Sequence, residues 1–147
     1  MHDALYIATI ICYAQGLAML HKASVELQME IPLKDVVRIW RGGCIIRSSL
    51  LEVFTAAYKR NANLQNILLN KKVAGLVKKK QSALRKIIQR SAGSKIPATA
   101  LSSALGYFDA YCSEKMPVNL IQAQRDFFGA HTYQRIDKEG SFHSEWE

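Results

Sequence analysis

The chain has 147 residues, 49% apolar and 22% charged, enough for one domain with its own core and too apolar for wholesale disorder. Twenty basic residues against 12 acidic ones give a formal charge of +8, a field that attracts an anionic partner without naming it. Cys12, Cys44 and Cys112 are an odd number at wide spacing, with no C-x-x-C pair or paired histidines, which argues against a metal site or disulfide framework and suits a reducing, cytoplasmic setting.

Met1-His2-Asp3 places no basic region before the apolar run that follows, so the amino end does not read as a signal peptide; Met1-His2 reads as a start placed on a fragment. Ala4 to Leu20 is nearly uninterrupted in apolar character over 17 positions, at the lower limit of the roughly 17–25 residues of a membrane span. Gln15 and Gly16 interrupt it, and His21, Lys22, Ser24 and Glu26 extend it in polar form. A helix at the centre of a bundle or dimer is therefore preferred, and no membrane is expected. With Asp3 as N-cap and no proline before Pro32, this helix should run over 4–28, about 40 Å.

Pro32 suits the first turn of a second helix through Val36, Val37, Ile39 and Trp40, ended by Gly42-Gly43. Leu50, Leu51, Phe54, Ala57 and Tyr58 give the i, i+3, i+4 rhythm of a third, over 46–60, broken by Asn61-Ala62-Asn63. One short turn fits 64–70. A fourth helix over 71–92 stops at Gly93, its apolar stripe of Val73, Leu76, Val77, Leu84, Ile87 and Ile88 interrupted only by Lys80. Pro97 opens a fifth, through Leu101, Leu105, Phe108 and Tyr111, and a sixth spans 118–129. Past Tyr133 periodicity fails, and Asp137-Lys138-Glu139-Gly140 reads as a turn into a tail. The sum is an all-α, multi-helix domain over 1–136 with a long central helix, and an extended C-terminal tail over 137–147. No G-x-G-x-x-G, P-loop or strand-rich run occurs, so a dinucleotide-binding domain is absent from the expected organisation.

The run from Leu120 to Tyr133, LIQAQRDFFGAHTY, carries a cation and an imidazole six positions apart in apolar surroundings. On a straight helix that offset is a rotation of about 240°, so Arg125 and His131 would not share a face. Gly129 is the sort of residue at which a helix ends or bends, which would let the two converge on an anion. On spacing alone the blander reading, a surface arginine and a core histidine, is favoured.

The wording of the run shifts that balance. It resembles the signature near the carboxyl end of the decarboxylating 6-phosphogluconate dehydrogenases, L-I-Q-A-Q-R-D-Y/F-F-G-A-H-T-Y. Three further segments follow the family's order: Tyr13-Ala14-Gln15-Gly16, Trp40-Arg41-Gly42-Gly43-Cys44-Ile45-Ile46-Arg47-Ser48, and Ala104-Leu105-Gly106-Tyr107-Phe108-Asp109-Ala110-Tyr111. The likeness extends from about Asp3 to Trp146 and is to the carboxy-terminal helical domain alone.

The resemblance implies the following. The intact enzyme oxidises 6-phosphogluconate at C3 by hydride transfer to NADP, then loses carbon dioxide through an enediol to give ribulose 5-phosphate, in the pentose phosphate pathway. Its general base, a lysine, and general acid, a glutamate, lie on segments that would precede residue 1, so no catalytic or cofactor-binding residue is expected in this chain, and alone it should be inert and bind no NADP. Arg125 and His131 match the family's arginine and histidine that bind substrate in the opposite subunit's active site, which implies a homodimer. A guanidinium suits the phosphate because it offers two parallel charge-assisted hydrogen bonds. The family's tail threads into the partner subunit, so Phe142, His143 and Trp146 are expected to dock; the chain stops at Glu147, short of the family's glycine-rich continuation.

Other motifs read as structural. The glycines of Trp40-Arg41-Gly42-Gly43-Cys44 are expected to end a helix at a tight crossing rather than cradle phosphate, with Cys44 a small core residue. Asp109 is expected to pair with a buried cation. Between Lys71 and Arg90 stand eight basic residues and no acidic one, which the resemblance does not explain. Nucleic-acid binding is the alternative this raises, disfavoured against a solvated face because stacking aromatics are missing. A purely structural dimerisation module is the other alternative.

Overall fold

In the computed structural model, which describes residues 1–146, the amino-terminal helix α1 runs over His2–Glu26. Glu147, the end of the expected tail, lies outside the described residues. Asp3 sits in the first turn, where its charge complements the helix dipole, but it does not cap: its carboxylate meets Lys80 Nζ at 2.5 Å. The helix stops two residues before the expected end because Gln28 and Glu30 take left-handed backbone, φ 53° and 51°, turning the chain toward Pro32. Ser24 Oγ accepts the Ile31 N–H at 2.7 Å and fastens that turn.

Helix α2, Leu33–Ile39, follows with Pro32 at its N-cap, and α3 spans Leu50–Arg60. Helix α3 begins four residues later than its rhythm suggested. Ile45 and Ile46 lie in a turn closed by the Arg47 N–H on the Cys44 carbonyl at 3.0 Å, and the Ile46 carbonyl is taken by the Tyr13 hydroxyl, so helix starts only after Ser48 and Ser49. The tight crossing expected at Gly42-Gly43 is not found: a Cβ on either would meet open space, and what the chain requires of Gly43 is its φ of +70°. Cys44 is half-buried rather than part of the core.

A 3₁₀ turn at Ile67–Leu69 is capped by Asn66, a buried side chain that accepts the Leu68 N–H at 2.9 Å and donates to Tyr107 Oη at 3.0 Å. Asn70 then caps α4, Lys71–Gly93, accepting from the amides of Lys72 and Val73. Helix α5 covers Thr99–Cys112.

The core of the first compact unit, Met1–Asp109, is α1 laid against α4, α2 and the 3₁₀ turn. Ile7, Ile10, Ile11 and Leu17 meet Val73, Val77 and Leu84, all buried to 1% exposure or less. Helix α1 is long and apolar enough to cross a membrane by length and composition, and eight of its residues between Ala4 and Leu17 are buried in the core. Lys80, the intrusion on the α4 stripe, is accounted for by Asp3 and by the Tyr6 ring, 5.5 Å from its Nζ. Asp109 pairs with a cation as expected, but not a buried one: it takes a two-pronged contact from Arg85, with both side chains 45% exposed.

The second unit, from Ala110 onward, holds α6, Asn119–Gly129, and an antiparallel ribbon of β1, Tyr133–Gln134, and β2, Ser141–Phe142. Tyr133 pairs with Phe142 and Gln134 with Ser141, and Gly140, φ +115°, turns the chain into β2. With six α-helices and two strands of two residues among the described residues, the fold is all-α.

Candidate functional site

Helix α6 has an inverted amphipathic pattern. Its apolar Leu120, Ile121, Phe127 and Phe128 are exposed by 55–77%, while Gln122, Ala123 and Asp126 face inward at i, i+1 and i+4, and only Asp126 is fully buried. Such a pattern leaves an apolar face open and places a carboxylate where a core residue is normally found.

That carboxylate organises the unit. Asp126 Oδ1 accepts the Thr132 N–H at 3.1 Å and meets His143 Nδ1 at 2.9 Å; Oδ2 accepts the Ser144 N–H at 2.9 Å and the Trp146 indole N–H at 3.0 Å. Burial pushes its pKa up, but the Ser144 amide, His143 and Trp146 outweigh burial and hold it down at about 2. The tail therefore docks in part on its own α6, with Trp146 edge-on to Phe127 at 5.8 Å and Tyr133 Oη 2.9 Å from Ser144 Oγ. Two cations approach the Phe142 ring, Arg135 at 5.7 Å and Lys138 at 5.6 Å, and Arg135 is in turn held by Asp137 through contacts of 2.8 and 2.6 Å.

Arg125 and His131 flank this anchor. Arg125 is exposed, and its Nη1 makes a long contact with Gln122 Oε1 at 3.4 Å. Helix α6 ends at Gly129, and Ala130 rather than the glycine takes the left-handed position, φ 48° and ψ 39°, with its N–H returning to the Asp126 carbonyl at 2.8 Å. Thr132, φ 62°, completes the reversal. The chain doubles back so far that the His131 ring lies over Gly129: a Cβ there would stand 3.0 Å from Nε2 and 3.2 Å from Cδ2. Gly129 thus leaves room for the ring, and the left-handed bend is made by Ala130 and Thr132.

Since Arg125 and Gly129 are four apart on one helix, they share a face, and the imidazole over Gly129 comes to the side of α6 that bears the guanidinium. No hydrogen bond joins Arg125 to His131 among the described residues. Both polar ends are exposed, so the histidine is not the satisfied core residue of the blander reading. A guanidinium and an imidazole presented from one side of a helix end can take an anion and a neighbouring hydroxyl.

Sequence reasoning missed Asp126. The signal was present as the one acid on α6, with His143 and Trp146, residues expected to dock, as donors downstream. Among the described residues no group of three or more histidines, cysteines or carboxylates is arranged to hold a metal.

A family model described as 6-phosphogluconate dehydrogenase, C-terminal domain, matches residues 1–146. Over 146 residues the chain is 46% identical to 6-phosphogluconate dehydrogenase, decarboxylating 1, of Spinacia oleracea, an alignment covering 99% of this chain and 30% of that protein. Against 6-phosphogluconate dehydrogenase, decarboxylating, of Lactococcus lactis subsp. lactis the identity is also 46%, covering 99% and 31%. The chain thus spans about a third of the length of these relatives. Its fold matches the 6-phosphogluconate dehydrogenase of Plasmodium falciparum with a TM-score of 0.92 and 44% identity, over 98% of this chain and 31% of that one. That protein has been solved in its apo form, with its cofactor NADP+ and with its substrate 6-phosphogluconate. With the family matched along all but its last residue, this chain belongs to the 6-phosphogluconate dehydrogenase family and corresponds to its C-terminal domain.

Proposed function

We propose that this chain is the substrate-completing part of a decarboxylating 6-phosphogluconate dehydrogenase, an oxidoreductase of the cytoplasm that turns 6-phosphogluconate into ribulose 5-phosphate with NADP. In this reading Arg125 grips the substrate phosphate through its two-pronged guanidinium, and His131 hydrogen-bonds a sugar oxygen beside it. The observation that carries the proposal is the presentation of these two side chains from one side of the α6 end, within a chain 46% identical to decarboxylating relatives.

The general base, the general acid and the coenzyme site belong to other segments. An all-α chain without a glycine-rich strand-to-helix turn has no cradle for a pyrophosphate, so the described residues do not fit NADP. What this chain contributes is binding and orientation. The open apolar face of α6, with Leu120 and Phe128 exposed by 74% and 77%, supports a homodimer in which that face is covered and Arg125 and His131 serve the opposite subunit.

The test is a chimera in which this chain replaces the corresponding 31% of the Lactococcus lactis relative. The expected result is a dimer forming NADPH from 6-phosphogluconate, with the 147-residue chain alone inert. A folded, dimeric chimera without activity would overturn the assignment.

A further inference from the structure

Where α3 ends and α4 begins, the first unit has a cleft of about 620 Å³. Its walls include Val53, Ala57 and Leu69, and its rim carries Arg60, Lys71 and Lys72, with no acidic residue in the lining. Leu69 is 56% exposed, an apolar side chain left open at the cleft's edge. None of the three cations has a carboxylate partner among the described residues.

The end of α4 does not itself supply the site. Asn70 Oδ1 already occupies the amides of Lys72 and Val73, so an anion in the cleft would be held by side chains. Arg60 comes from the last turn of α3 and the lysines from the first turn of α4, so the charges approach one cleft from two elements. A cationic rim over an apolar wall matches a ligand divided in the same way.

We propose that this cleft binds a small organic phosphate with an apolar body, the phosphate at Arg60, Lys71 and Lys72 and the body against Val53, Ala57 and Leu69. 6-Phosphogluconate, a polyol without an apolar body, does not have this division, so the cleft is a second site and independent of the proposed dehydrogenase role. Lys78 and Lys79, farther along the same helix, do not line the cleft and serve as the internal control.

The experiment titrates the full chain with 1-naphthyl phosphate by amide NMR, beside 1-naphthol and inorganic phosphate as the two halves of the probe. Shifts at Val53, Leu69 and Lys72 are expected, with a Kd on the order of 0.1 mM and each half binding at least about tenfold more weakly. Lys71→Gln with Lys72→Gln should weaken the ester about tenfold, while Lys78→Gln with Lys79→Gln, removing equal charge, should change it less than about twofold. Equal loss in both double variants would make the binding a property of the general positive field and overturn the proposal. So would naphthol or inorganic phosphate binding as tightly as the ester, or the absence of shifts at the cleft.

Discussion

The indole N–H of Trp146 donates to Oδ2 of Asp126 at 3.0 Å, tying the last described residue of the chain to the inward side of α6. Because Thr132, His143 and Ser144 also address this carboxylate, one side chain fixes both the reversal that carries His131 and the return of the tail. Asp126→Asn would set an amide NH2 against donors. Amide protection at Thr132 and Ser144 should fall by about an order of magnitude or more while the core of the first unit keeps its own. Hydrogen exchange measures this; unchanged protection at both amides would show that the ribbon holds itself.

The same carboxylate sets a pH window. Its ordinary pKa of 3.8 drops to about 2 in the folded chain, so protons bind the unfolded form first. The contribution of Asp126 is therefore whole above about pH 4 and is lost as the pH falls toward 2. The Trp146 Nε1–H resonance should report a transition in that window, and Asp126→Asn should abolish it.

Gly129→Ala separates stability from function. Alanine is the better helix former by up to about 1 kcal/mol, less at the last helical position that Gly129 holds, so Tm should not fall. The new methyl would displace the His131 ring that now lies 3.0 Å from the Cβ position. In the chimera KM for 6-phosphogluconate should rise about tenfold with little loss of kcat, as for a lost binding contact. An unchanged KM would mean that His131 works equally well elsewhere.

Tyr13→Phe tests the clasp on the loop before α3. The Tyr13 ring packs edge-on to Phe54 at 5.5 Å and against Trp40 at 6.2 Å, contacts phenylalanine keeps, while the bond to the Ile46 carbonyl is lost. A destabilisation of about 1 kcal/mol is expected in urea unfolding, the usual net value of one hydrogen bond. A loss several times larger would mean the hydroxyl also holds the loop's conformation.

The helices were largely legible because their signals are local. Pro32, Asn61 and Gly93 punctuate the chain close to where α2 starts and where α3 and α4 stop, and the α4 stripe buries Val73, Val77 and Leu84 as its spacing implied. The misses are long-range. Asp3 looked like a cap and instead serves Lys80, 77 positions away, and Ile46 looked helical until Tyr13 claimed its carbonyl. At the site, Arg125 and His131 were singled out from the run that contains them, and both are exposed. Asp126 was not singled out, because three of its four donors come from 17 to 20 residues downstream and no periodicity registers them. Gly129 was singled out for backbone freedom, yet Ala130 carries the left-handed turn and the glycine makes room for a ring.

The most direct test of the account is KM for 6-phosphogluconate in the chimera carrying Arg125→Ala. A guanidinium that grips the phosphate in ground and transition states alike predicts a rise in KM on the order of 100-fold, with kcat lowered less than about tenfold. An unchanged KM, or equal losses in kcat and kcat/KM, would contradict the role assigned to Arg125.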